Sequence, residues 1–411
     1  MNRRDFVARA AVTGAALSAS PARVLAASDR VRLGIIGVGD RGQQDLHDAL
    51  ACPGVECVAV ADIYSRRRDQ ARALAPNATF YDDPRRLLDR NDIDAVIVAT
   101  PLFLHAQHMQ MVIASGKDVY CEKTMTWNIA EAKACLKAAN ESRQVVQIGL
   151  QHQSEGNHID AASWIKQGLP GKITMVEAWM SRNSPIGRPQ WRRPIPPDCD
   201  VQHVDYSLFL GNRPKEPFSS ERFINWRLYW EFSGGNVTEN MVHQIAWIIS
   251  VMGLREPSAA YMTGGVFSEK DGRQVPDTIS VTLEYPNDLI VLWQSTFSNG
   301  RYGLGEHFLG RNGTIEHVAG ANDMVTGRSR SAVNYYPEKI NSAGATPIEG
   351  QSQGVHHMQN WMDCIRSRSK KTNAPVEIGY LSAVAAHMSN LSYRSQRRVT
   401  LEEAMNAQQG Y

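Results

Sequence analysis

Hydrophobic and polar positions follow two rhythms along this chain. From residue 31 to about 149, short continuous apolar runs alternate with amphipathic stretches of helical period. The runs at 31–36, 55–61, 94–99, 118–121 and 145–149 read as strands buried on both faces, and the stretches at 43–51, 71–74, 105–115 and 129–141 read as helices. Strands and helices alternating at this spacing predict a parallel sheet covered on both sides. Beyond residue 151 the pattern changes. A helix at 156–168 leads to a strand at 173–179, then to an irregular stretch over 182–225 rich in prolines and arginines. Strands resume at 259–266, 278–285 and 289–297, and Lys270-Asp271-Gly272-Arg273 reads as a tight hairpin turn through its Asp-Gly pair.

The chain of 411 residues, at about 150 per domain, predicts two to three domains. Hydrophobic residues at 43% and charged residues at 21% exclude a wholly disordered chain. Lys plus Arg (44) against Asp plus Glu (42) leaves a charge of +2 with no long block of one sign, which argues against a nucleic-acid partner. The six cysteines, at 52, 57, 121, 135, 199 and 364, are too few for a disulfide framework; Cys52 and Cys57 either pair locally or remain thiols.

The first 27 residues have the layout of a twin-arginine signal. Arg3-Arg4 and Phe6 precede an apolar small-residue run over 10–19, and Val24-Leu25-Ala26-Ala27 offers a cut after Ala26 or Ala27. The expected partner is the twin-arginine export machinery, the expected location periplasmic or otherwise exported. No later segment reaches the ~18 uninterrupted apolar residues of a membrane span.

The strand at 31–36 runs into Gly37-Val38-Gly39-Asp40-Arg41-Gly42 and then a helix. This is G-x-G-x-x-G in the strand–turn–helix setting where it cradles a pyrophosphate: one glycine for the turn, one for close backbone approach, one for helix–strand packing. Asp62 ends the next strand, placed to accept ribose hydroxyls and so to favour NAD, whereas Arg66, Arg67 and Arg68 just beyond it suit the extra phosphate of NADP. Gly37, Asp62, Thr100 and Glu122-Lys123 all fall at C-terminal strand ends, where ligands sit in such sheets.

With these stretches, the chain resembles the Gfo/Idh/MocA family, the glucose–fructose oxidoreductase and inositol dehydrogenase relatives. The resemblance is carried by residues 34–42, Ala61-Asp62-Ile63-Tyr64, Val96-Ile97-Val98-Ala99-Thr100-Pro101, His105, Cys121-Glu122-Lys123, residues 146–149 and Ser233-Gly234-Gly235 with the helix to His243. It implies a Rossmann α/β domain over 28–150. An α+β domain then follows over 151–411, with a mostly antiparallel open sheet, helices on one face and C-terminal helices packing back on the first domain. The cofactor-binding set is then Gly37, Gly39, Asp40, Arg41, Gly42, Asp62, Thr100, Pro101, His105 and Glu122. The resemblance places Lys123 beside nicotinamide and substrate, with Thr124 where proline is usual and hence a less rigid loop. It pairs Glu239 with His243, residues i and i+4 on one helix face, and makes His243 the general base. Thr238 is the expected N-cap of that helix and Gly253 its stop. Glutamate at 239 and Ala246 stand where the family usually has aspartates.

Trp179, Trp191, Trp226, Trp230 and Trp247 are interleaved with Arg182, Arg188, Arg192, Arg193 and Arg227, a mixture that suits the apolar faces and hydroxyls of a sugar. Gln151, His152, Asn183, Trp191 and Tyr229 are the substrate candidates. His356-His357 lacks further ligands at metal-binding spacing, so no metal is expected. The leading reading is an exported NAD(P)-dependent oxidoreductase that keeps its cofactor tightly bound and acts on a sugar or sugar derivative. Two alternatives stand beside it: an NAD-dependent glycoside hydrolase of the same fold, which oxidises, eliminates and reduces again, and a non-catalytic binding protein. The family likeness also implies a homo-oligomer built by face-to-face pairing of the open sheets.

Overall fold

The computed structural model describes residues 30–185, 187–322, 329–339 and 345–407; the signal read at 1–27 lies outside them. The first sheet contains β1 (Val31–Ile36), β2 (Val55–Ala61), β3 (Thr79–Tyr81), β4 (Ala95–Val98), β5 (Asp118–Glu122) and β6 (Val146–Gly149). All pairs are parallel and the order is β3-β2-β1-β4-β5-β6. The order reverses between β1 and β4, opening a crevice beyond their C-terminal ends, and this is where ligands bind in doubly wound sheets. Gly37 and Thr100 follow these two strands directly.

The second sheet has nine strands: β7 (Ile173–Met180), β8 (Ala259–Gly265), β9 (Thr278–Tyr285), β10 (Leu289–Thr296), β11 (Leu304–Gly310), β12 (Gly313–Asn322), β13 (Ser329–Pro337), β14 (Ile348–Glu349) and β15 (Val399–Thr400). Their order is β14-β13-β12-β11-β7-β10-β9-β8-β15, and β7 with β10 is the parallel pair in an otherwise antiparallel ladder. The strand periodicity of β9, alternately half-exposed and buried, sends Ile279, Val281 and Leu283 inward. The helices Val242–Met252 and Val376–Ser395 cover that inner face, while on the other face Ile290 and Tyr336 are exposed and Met175, Trp179, Leu292 and Leu309 half-buried. The helix His357–Ser367 returns to the first sheet. Its Met358, Trp361, Met362 and Ile365 are buried with Val31, Leu33, Ile35 and Leu46, and Arg368 just after it pairs with Asp118 at 2.5 Å.

Several elements differ from the sequence expectation. The helix after β2 is Ser65–Ala71, earlier than 71–74; turns carry the chain on to Ala75, where Pro76 stops it. The Asp-Gly pair at 271–272 is not a tight hairpin turn. β8 ends at Gly265 and β9 starts at Thr278, and the long loop between them closes on buried Asp277, whose carboxylate accepts the N–H groups of Phe267, Ser268 and Glu269. Asp271 instead holds Arg273 and Arg192. Within 182–225 lie two short helices, Tyr206–Leu210 and Ser220–Ile224, organised around an aromatic cluster of Tyr64, Phe103, Phe209, Phe223 and Phe232. Thr238 is not an N-cap. The helix opens with a widened π-turn, Val237–Met241, and Thr238 Oγ1 donates to the Gly235 carbonyl at 3.0 Å; Gly253, in the left-handed conformation, does end it. All six cysteines are buried free thiols.

Candidate active site

The crevice between the domains opens into a cavity of about 1040 Å³. At one end, Gly37 turns with φ +89°, and a Cβ there would lie 2.8 Å from the Ala99 carbonyl oxygen. A Cβ at Gly42 would lie 2.0 Å from the Gly37 carbonyl, so the helix Asp40–Leu50 seats against the turn only without a side chain. Over Gly39 the nearest atom is the Arg67 guanidinium at 3.6 Å, which leaves the backbone open to an incoming phosphate. Asp62 is buried, and its two carboxylate oxygens accept the N–H groups of Val38 at 2.8 Å and Tyr64 at 2.9 Å. The residues therefore fit a dinucleotide: a phosphate cradle at Gly37–Gly42 and an acid at the end of β2.

The neighbouring arginines are engaged. Arg66 pairs with Asp198 at 3.3 Å, Arg67 lies 5.1 Å over the Phe223 ring, and Arg68 donates to the Asp62 carbonyl at 2.6 Å. Asp40 lies at the rim, paired with Arg193 at 3.3 Å. Arg41 turns into the floor. It bridges Glu122 at 3.1 Å and Asp45 at 2.5 Å, and burial together with the Glu122 charge pushes the Asp45 carboxyl well above the ordinary range. Glu122 also accepts from Gln151 Nε2 at 2.9 Å, so Gln151 holds this carboxylate as well as lining the cavity.

The loop after β5 is tied on both sides. His105 places Nε2 2.7 Å from the Thr100 carbonyl and Nδ1 2.7 Å from the Thr124 carbonyl, and Thr124 Oγ1 donates to the Thr238 carbonyl at 2.5 Å. Hydrogen bonds thus fix the segment that lacks the usual proline, and the expected looser loop is not what the structure shows. Lys123 Nζ stands 2.8 Å from the Glu239 carbonyl oxygen and 3.5 Å from its carboxylate, and Arg227 Nε reaches the same carboxylate at 3.1 Å. Burial alone would raise the Glu239 carboxyl; the Lys123 and Arg227 charges override it and hold it below its ordinary value.

His243 lines the same cavity, with Nδ1 buried and lacking a hydrogen-bond partner among the described residues. Burial, reinforced by the positive charges of Lys123, His152, Arg41 and Arg182, holds its pKa well below the usual histidine value. The ring is thereby held in its neutral form. His152 stands edge-on to it, ring centres 5.3 Å apart. Although burial pulls His152 down, its 3.0 Å pair with Glu155 carries it above the ordinary range.

Of the remaining sequence candidates, Trp191, Thr100 and Pro101 line the cavity. Trp226 does so too, with Arg227 stacked 4.3 Å above it, whereas Trp179, Trp230 and Trp247 pack elsewhere. Asn183 and Tyr229 are not brought there: Asn183 bridges Ser298 through its backbone, and Tyr229 Oη donates to Glu221 at 3.2 Å. The sequence reading missed Asn240, Met180 and Leu304 in the lining. Asn240 precedes His243 by three residues, a helical spacing that marks a shared face.

Residues 31–150 match the profile of an oxidoreductase family with an NAD-binding Rossmann fold, and residues 200–410 match that family's C-terminal alpha/beta domain. The chain belongs to this Gfo/Idh/MocA oxidoreductase family. It is 33% identical over 158 residues to inositol 2-dehydrogenase of Gluconacetobacter diazotrophicus, covering 38% of this chain and 47% of that one. To inositol 2-dehydrogenase of Rhodococcus jostii it is 24% identical over 284 residues, 68% of this chain and 75% of the relative. The matched stretch thus spans about half the length of the first of these relatives. Among solved structures, apo scyllo-inositol dehydrogenase from Lactobacillus casei superposes with TM-score 0.65 at 15% identity, over 91% of this chain and 98% of the other. Levoglucosan dehydrogenase in complex with NADH gives 0.65 at 19%, over 90% and 99%. These likenesses show the fold.

Proposed function

We propose that this chain oxidises a ring hydroxyl of a sugar or cyclitol with NAD. One observation carries the reading: Lys123, Glu239 and His243 meet in the cavity that the Gly37–Gly42 turn opens into. NAD, when bound, supplies the acceptor for the hydride. Neutral His243 takes the hydroxyl proton, and the Lys123 ammonium, positioned by Glu239, stabilises negative charge on the substrate oxygen as the proton leaves. Arg41, Glu122 and Gln151 hold the floor, and Trp191 and Trp226 offer apolar faces to the sugar ring. The names of the inositol and levoglucosan dehydrogenases support this substrate class.

The proposal extends to residues 1–27 as a twin-arginine signal, to export with the cofactor retained, and to a homo-oligomer formed over the open face carrying Trp179, Ile290 and Leu309. Gel filtration and the mass of nucleotide released on denaturing the exported protein test these parts. The activity is tested by NADH appearance across a panel of inositols and sugars, with Lys123→Ala and His243→Ala alongside. Each variant is expected to lose at least ~100-fold in kcat. A loss under tenfold in both, on a verified substrate, overturns the assignment of roles.

A further inference from the structure

Most charges around the cavity are matched within it; Arg67 at the adenosine end stacks on Phe223 without a carboxylate, and Asp62 is held by backbone N–H groups. At the adenosine end Asp83 is matched by Arg85 and Asp198 by Arg66; at the rim Asp40 is matched by Arg193; in the floor Arg41 is shared by Glu122 and Asp45. At the substrate end, three basic side chains, Lys123, Arg182 and Arg227, face the single carboxylate of Glu239, and Lys123 and Arg227 already occupy it. Arg182 is left over. Its side chain contacts Met180 Sδ at 3.6 Å, a weak acceptor, and it makes no ion pair among the described residues. Arg182 is an exposed side chain on the wall of the same cavity as Met180, Leu304, Trp191 and Trp226, where its guanidinium is open to an incoming ligand.

The guanidinium N–H groups can donate to sugar hydroxyls, but a hydroxyl neither balances the charge nor takes both arms of the fork. A carboxylate or phosphate offers two oxygens in the planar geometry the guanidinium fork takes up. We infer that the substrate is a sugar bearing an anionic group, carboxylate or phosphate, which docks on Arg182 while the reacting hydroxyl lies against His243. The inference rests on the oxidoreductase reading above and names its substrate class. The charge on Arg182 is also among those that hold His243 down, so an anion arriving there relieves part of that effect as the substrate binds.

The test uses the full NAD-loaded protein and matched sets: glucose and galactose, glucuronate and galacturonate, and the hexose phosphates. One anionic arm is expected to exceed its neutral parent at least tenfold in kcat/KM, and which arm does so separates carboxylate from phosphate. Arg182→Gln is expected to lower kcat/KM for that arm at least tenfold more than for the neutral parent, mainly through KM, with Arg182→Lys intermediate. Undiminished NAD binding shows that the variants fold. Neutral sugars turned over as well as the acids, or equal effects of Arg182→Gln on both, overturn the inference. Should no arm produce NADH, the redox reading fails, and the anion site is then judged by calorimetric titration of glucuronate and of a hexose phosphate. Binding of either that Arg182→Gln abolishes sustains the site; no binding of both overturns it.

Discussion

Lys123 at the end of β5 donates to the main-chain carbonyl of Glu239, 116 residues later in the chain, at 2.8 Å. Beside this bond Thr124 Oγ1 donates to the Thr238 carbonyl. The two contacts fasten the nucleotide domain to the widened first turn of the second domain's helix, and they present the ammonium and the carboxylate to one cavity. Lys123→Met removes the charge while keeping most of the stem. Its expected effect is a fall of ~100-fold or more in kcat with NAD affinity within about threefold of the parent, read by steady-state kinetics and by calorimetry of NAD binding.

Asp62 accepts two backbone N–H groups, one of them from the glycine turn itself, so its carboxylate shapes the turn, and the proposed NAD site sets it against the ribose. Asp62→Ser is expected to weaken NAD binding by about 1–3 kcal/mol, roughly 5- to 150-fold, and to narrow the preference for NAD over NADP. Paired titrations with both nucleotides check this. A variant that still binds NAD as tightly as the parent contradicts the role.

Gly42→Ala puts a methyl group 2.0 Å from the Gly37 carbonyl, where backbone has to move. Overpacking of this kind costs about 1–3 kcal/mol. The expected result is a lower Tm together with loss of NAD binding. Gly116→Ala serves as control, because φ +78° strains it with nothing within 4 Å of the added Cβ; it should lower Tm without touching NAD affinity.

His108, His357 and His387 are buried, and burial pulls their pKa values down to about 4, about 4 and about 3. The unfolded chain takes up protons at these rings below about pH 6.5 while the folded chain does not. Their contribution to stability is complete above that pH and is lost as pH falls through 6.5 towards 4, at about 2 kcal/mol per histidine by pH 5. Tm should therefore drop steeply between about pH 7 and pH 5. Replacing His108 by Gln should flatten part of that slope. By the same sign, His243 is neutral in the free protein, so the acid limb of kcat/KM lies below about pH 6.5.

Five of the six strands of the first sheet were legible because their signals are local, whereas the three-residue edge strand β3 (Thr79–Tyr81) was not read. Continuous apolar runs, G-x-G-x-x-G and an acid at the end of the next strand each specify geometry within a few residues, and the helix at 129–141 has the predicted bounds. The second domain was harder. β11 carries glycine at both 305 and 310, and the loop before β9 closes on Asp277 through the N–H groups of Phe267, Ser268 and Glu269, neither of which a local pattern reveals.

The sequence and its family resemblance singled out the residues proposed to carry chemistry: a phosphate turn, Asp62, Lys123, and Glu239 with His243 at helical spacing. Tertiary structure alone decided which of them share a space and which charges cancel. It turned Arg41 into a floor clamp for Glu122 and Asp45, left Tyr229 and Asn183 outside the cavity, and set Arg182 inside it without a carboxylate. The physical reason is that spacing along the chain fixes a side chain's direction on its own element. Charge balance and burial depend on elements a hundred or more residues away.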